Sequence, residues 1–249
     1  MESLEKKLPF VKLVLILTLF EANLCFAQNS VAPQTTMPYL TVKLWALLDP
    51  MPGSESAASD DLSLPFYQYS VQEIKKLSPY VFEGMIFGFD FEYTPSDKTR
   101  AVDEYFSVNF NRESTQNTSE FSLKDFSKNI SYSDPYIEDN CLYCQAEFAL
   151  THQLSERIVR KQSVSMKKIK GKGQGKVSEG QKGIEKAFEQ AIKNAVRTYA
   201  QGIRKNKPKE INGTVILKDQ PRIYIKSGYY IVDSDFFIEN IEITDYTTF

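Results

Sequence analysis

Histidine occurs once in this chain, at position 152, and tryptophan once, at position 45. A single histidine leaves a hydrolytic Ser-His-Asp arrangement with little to work with, and the Gly-x-Ser-x-Gly elbow is absent. Also missing is the Gly-x4-Gly-Lys-Ser/Thr spacing of a phosphate-binding loop. The dinucleotide pattern fails because Lys176 stands where its third glycine belongs. No stretch approaches the roughly 20 apolar residues of a membrane-spanning helix. Only three cysteines occur, Cys25, Cys141 and Cys144.

The first 27 residues have the order of an export leader. Lys6, Lys7 and Lys12 precede the short apolar run Leu13–Phe20, and Cys25-Phe26-Ala27 supplies small residues at the −3 and −1 positions. Basic start, apolar centre and small-residue end together predict cleavage after Ala27 and a mature chain in the periplasm or cell envelope. Residues 28–38 read as a flexible lead-in. Cleavage would remove Cys25. Cys141 and Cys144, alone in an oxidising compartment, are then expected to pair. A bridge over so short a loop adds about 2 kcal/mol in the chain-entropy model. A redox role for the pair, or a metal role completed by other ligands, is the alternative. The residues after Cys144 alternate as a strand, so the pair lacks the helix N-terminus that lowers a reactive thiol's pKa. His152 falls on the apolar side of that alternation and is expected in the core. No cofactor is implied.

Charge is unevenly spread. Asp49–Asp139 holds 17 acidic and 7 basic residues, and Glu156–Lys209 holds 4 acidic and 16 basic. The balances, −10 and +12, fit either an acidic partner or docking of the halves on each other. The division expected is an acidic, aromatic-rich half over 39–155 and a basic half over 156–249, with one continuous domain as the alternative. Lys167, Lys168, Lys170, Lys172 and Lys176 form the densest cationic run. Among their glycines they read as a flexible hairpin or strand-to-helix connection, and as a candidate patch for an acidic protein partner. Export argues against nucleic acid.

Local patterns predict an α+β fold, mainly antiparallel, with one long alanine-rich helix packed on the sheet. Tyr39–Leu48 alternates as a strand, and Asp49–Leu64 is a long loop. Ser70 and Glu73 have capping-box spacing, with Pro79 expected to break or kink the helix that follows. Phe87, Phe89, Phe91 and Tyr93 alternate with Gly88, Asp90 and Glu92, a strand signal. Thr99–Phe106 is read as a short helix. Ser178 and Gln181 suggest a second capping box. Ile184, Ala187, Phe188, Ala191, Ile192, Ala195, Val196 and Tyr199 then make one apolar stripe ending near Gly202. Val215–Leu217, Arg222–Lys226, Tyr229–Val232 and Phe236–Ile243 read as a meander.

The features IKGKGQG, EKAFEQAIKNAVRTYAQG, EINGTVIL and KSGYYIV, over about 165–235, resemble the small N-terminal domain of flagellar assembly protein T and related envelope lipoproteins. That resemblance implies a periplasmic, non-catalytic α+β module used in assembly, and it carries over no catalytic residue. The function expected is an exported envelope binding or assembly module without enzymatic activity. Alternatives are a thiol-disulfide oxidoreductase using Cys141 and Cys144, or a periplasmic ligand-binding protein using exposed aromatics.

Overall fold

Alternating apolar residues build two antiparallel sheets, and two helices fill the space they leave. The computed structural model describes residues 38–50, 67–110, 126–163, 166–203 and 206–246. The expected leader, the interior of the Asp49–Leu64 loop and the polar stretch at 112–119 lie outside them.

In the first sheet, strands β1 (Tyr39–Leu47), β4 (Ile130–Glu138) and β5 (Cys141–Ala149) run in the order β1-β5-β4. Val42, Leu44, Ala146 and Phe148 share its inner face and are buried. Against that face lies helix α1, Gln68–Ile86. The contact is made of rings: Phe82 and Phe148 have centroids 5.7 Å apart, and Phe126 stacks on Phe148 at 4.4 Å. Pro79 does not break α1, which runs on through it. The Ser70–Glu73 box does not form either. The helix starts earlier, Ser70 Oγ donates to the Leu48 carbonyl at 3.5 Å, and Glu73 pairs with Lys76 at 2.8 Å.

The second sheet joins β2 (Phe89–Thr94), β3 (Tyr105–Phe110), β6 (Lys167–Lys176), β7 (Glu210–Leu217), β8 (Arg222–Lys226) and β9 (Tyr229–Thr244). Its order is β3-β2-β7-β9-β6, with β8 also on β9. The expected segments at 229–232 and 236–243 are one strand, β9. One edge of β9 carries β6, and the other carries β7 and then β8 end to end. Strands from both sides of position 155 share this sheet, so that position divides charge but not the fold. The segment read as a helix at 99–106 is a turn followed by β3. Asp97 organises the turn by accepting from the Thr99 amide and hydroxyl and from Arg100. The architecture is α+β and mainly antiparallel.

Helix α2, His152–Ser163, follows β5, and helix α3, Gln181–Ile203, lies on the second sheet. The predicted stripe of α3, from Ile184 to Val196, is buried. A 3₁₀ turn at Val177–Glu179 precedes α3, so Ser178 lies in that turn and α3 starts at Gln181. Gly202 lies inside the last turn, one residue before the end.

Side-chain hydrogen bonds join β1 to the second sheet and the turn before β8. The Lys43 amide donates to Gln220 Oε1 at 3.1 Å, and Gln220 Nε2 donates to the Lys43 carbonyl at 3.0 Å. Nearby, Trp45 Nε1 donates to the Ile223 carbonyl at 3.1 Å. Gln220 thus occupies the bonding positions that another strand would take.

Candidate binding face

Two-residue periodicity builds the site. In β6, Ile169, Gly171, Gly173 and Gly175 are buried, and Lys168, Lys170, Lys172, Gln174 and Lys176 are exposed. The expected loop is a regular strand, and its glycines are there for space. A Cβ on Gly171 would lie 2.0 Å from the Ala191 carbonyl oxygen. On Gly173 it would lie 2.0 Å from that of Ala187, and on Gly175 1.9 Å from that of Gly183. All three oxygens are backbone atoms of α3. Only glycine permits this approach of helix and strand.

With one face of β6 closed by α3, its lysines must point the other way. The neighbouring strands continue their row. Lys170 is opposite Asp235 and Lys172 opposite Asp233, and Asp233 is opposite Arg222 on its other side. Tyr224 and Lys226 follow Arg222 on the same face. Lys168, Lys170, Lys172, Lys176, Arg222 and Lys226 therefore outnumber Asp233 and Asp235. One carboxylate is engaged, since Lys170 Nζ is 3.2 Å from Asp233 Oδ1. Lys172 and Arg222 both lie over the Tyr224 ring, at 5.6 and 5.3 Å from its centroid. Interaction with the Tyr224 hydroxyl holds the Lys172 pKa above its ordinary value, so Lys172 stays charged throughout the neutral range. The face can hold anions by charge and carries an aromatic ring among its cations.

Of the five lysines singled out in the sequence, Lys168, Lys170, Lys172 and Lys176 come together. Lys167 does not. It has the opposite parity, and its ammonium sits 4.5 Å from the Tyr199 ring centroid on the helix side. Sequence reasoning missed Arg222, Tyr224 and Lys226. The alternation in RIYIK was visible, but the pairing that aligns it with β6 was not.

The other candidates are not assembled into a site. Cys141 and Cys144 are free and buried. They lie three residues apart on one strand and so face opposite sides. A rise of about 3.3 Å per residue separates their Cα atoms by about 10 Å, beyond the about 7 Å limit for a disulfide. The expected bridge is thus corrected. Burial, with the Asp139 carboxylate adding to it, raises the Cys141 thiol pKa, and burial raises that of Cys144. Both shifts make the thiols less nucleophilic. The expected core histidine is corrected as well. β5 ends at Ala149, and Thr151 Oγ1 accepts from the Leu154 amide at 3.3 Å. That cap starts α2 and leaves the His152 side chain 88% exposed, 3.5 Å from Glu156. Among the described residues, no group of three or more His, Cys, Asp or Glu is placed to hold a metal ion.

A cleft of about 270 Å³ lies between β2 and the end of α3, lined by Tyr93, Pro95, Arg197 and Lys207 among others. Beside it, Glu104 Oε1 accepts from the Tyr93 hydroxyl at 3.0 Å, and Lys193 and Arg197 approach Glu104 at 3.4 and 3.8 Å. Burial alone would raise the Glu104 pKa, but the Tyr93 hydroxyl and the two cations outweigh it and hold the carboxyl below its usual range. These contacts tie the acidic part of the chain to the basic helix.

A protein-family model matches residues 27–246, a span containing every strand and helix described above. The chain belongs to that family. The chain is also similar to an uncharacterized protein of Treponema pallidum (strain Nichols). The two are 27% identical over 210 residues, 84% of this chain and 83% of the relative. No solved structure matches. Neither match connects this family member to flagellar assembly protein T. Among the described residues, no helix is long and apolar enough to cross a membrane.

Proposed function

We propose that this protein is an exported, non-catalytic module of the bacterial cell envelope that holds an acidic protein partner on the open face of β6, β9 and β8. One observation carries the reading. The glycine comb of β6 turns its lysines to one side, where Arg222 and Lys226 extend the row. The basic run, the apolar run and the small residues of the first 27 positions support export. Exposed charge gathered on one face supports recognition through electrostatic complementarity, which acts on association rate and specificity.

The test is binding of fluorescent poly-L-glutamate at low and moderate salt. Changing Lys168, Lys170 and Lys172 together to glutamate is expected to weaken binding about tenfold or more. Lys167→Glu, on the other side of the strand, is expected to leave it unchanged. Equal binding by the triple variant and the unaltered protein, with the melting temperature preserved, would overturn the proposal.

A further inference from the structure

The lysine row coincides with an open backbone edge. β6 is the last strand on its side of the second sheet among the described residues. In an antiparallel strand, both backbone groups of every second residue point to the same edge. Two contacts show which residues face outward here. The Gln174 amide donates to Gln190 Oε1 at 2.7 Å, and Asn194 Nδ2 donates to the Lys172 carbonyl at 2.8 Å. Gln190 and Asn194 are one turn apart on α3 and reach past the strand to satisfy its edge. By parity, the backbone groups of Lys168, Lys170 and Lys176 face the same way. The residues that carry the cationic side chains thus also present the bonding edge.

We infer that this edge is a strand-addition site for an extended acidic segment of a partner protein, with the amides of Gln190 and Asn194 holding the edge until the segment displaces them. The inference rests on the basic-face reading and specifies how the partner binds. Main-chain bonds to β6 supply affinity in such additions, and alternate side chains supply specificity. Side chains of an added strand on the open face would lie beside Lys168, Lys170, Lys172 and Lys176, where opposite charges across a strand pair are favourable and like charges are not. A second copy of this chain cannot serve as the added strand through β6, because lysine would meet lysine. Edge lysines are also a common guard against unwanted pairing, and here that same guard selects for acid.

The probe is an end-blocked peptide of alternating glutamate and valine, measured by fluorescence anisotropy and by amide hydrogen exchange. Gln174→Pro removes one outward donor without altering any lysine, and proline is tolerated where a strand's amide faces an open edge. This variant is expected to bind the peptide about tenfold more weakly. The double variant Gln190→Ala, Asn194→Ala vacates the edge and is expected to bind several-fold more tightly. Bound peptide is expected to slow exchange at the amides of Lys168, Lys170, Lys172, Gln174 and Lys176. Unchanged exchange at those amides, or unchanged affinity in the double variant, would overturn the edge site even if Gln174→Pro failed to fold. The basic-face reading would survive that result as long as the triple glutamate variant still lost poly-L-glutamate. Loss of neither probe in the triple variant would overturn both.

Discussion

The two long helices are held by opposite means. α1 meets the first sheet through rings: Phe82 lies 5.7 Å from Phe148 of β5, on which Phe126, from the segment before β4, stacks at 4.4 Å. α3 meets β6 through almost nothing: glycine against alanine or glycine, backbone near backbone. Aromatic side chains bury about 150–250 Å² each, so the first seam is stabilised by area and fails when material is removed. The second seam is set by closeness and fails when material is added. This difference bears on the binding face. Because α3 sits so near the strand, the lysines have one side available, and Gln190 and Asn194 can reach the edge.

Substitutions can break this contrast. Phe82 is fully buried, and Phe82→Ala is expected to destabilise by about 3–5 kcal/mol in urea denaturation. Gly173→Ala adds one carbon atom where α3 leaves no room. Overpacking of this kind costs about 1–3 kcal/mol, and the upper end is expected because the obstacle is backbone and cannot rotate away. A mild loss from Gly173→Ala, near that of an ordinary surface change, would show that the helix can lift off the strand. Gly202 sharpens the comparison from the other direction. It lies exposed in the last turn of α3, and a Cβ there would meet nothing within 4 Å. Gly202→Ala is expected to stabilise by about 0.4–1 kcal/mol, read as a small rise in melting temperature. The same substitution thus has opposite signs at two glycines that meet α3 in different ways.

Where side chains are large, the sequence is easy to read. The aromatic alternation of β2 and the stripe from Ile184 to Val196 fall where their periods place them, because ring and aliphatic burial dominates those segments. β6 looks like a loop because glycine has no side chain to mark a buried position. Its signal is the two-residue alternation of lysine and glycine, repeated by the small residues on α3. Leu150, His152 and Leu154 fit a continued strand equally well, until the Thr151 hydroxyl caps a helix and ends it. Cys141 and Cys144 are close in number but opposite in direction, a consequence of strand parity that spacing alone hides. The binding face is half legible. Its lysines are conspicuous, while Arg222, Tyr224 and Lys226 join them only through the register of β9.

β9 has a consequence for how the molecule comes into being. This strand pairs with β6, β7 and β8, and among the described residues it follows all of them in chain order. Neither β6 nor β8 has another strand neighbour among the described residues. β6 and β8 therefore enter the second sheet only through β9, whereas β3, β2 and β7 also pair with one another, and the Lys43–Gln220 link closes a loop across 177 positions. Contacts so distant in sequence make for slow folding. The basic face exists only where β9 is paired on both its edges, so the ability to hold a partner depends on one strand that contributes none of the cations.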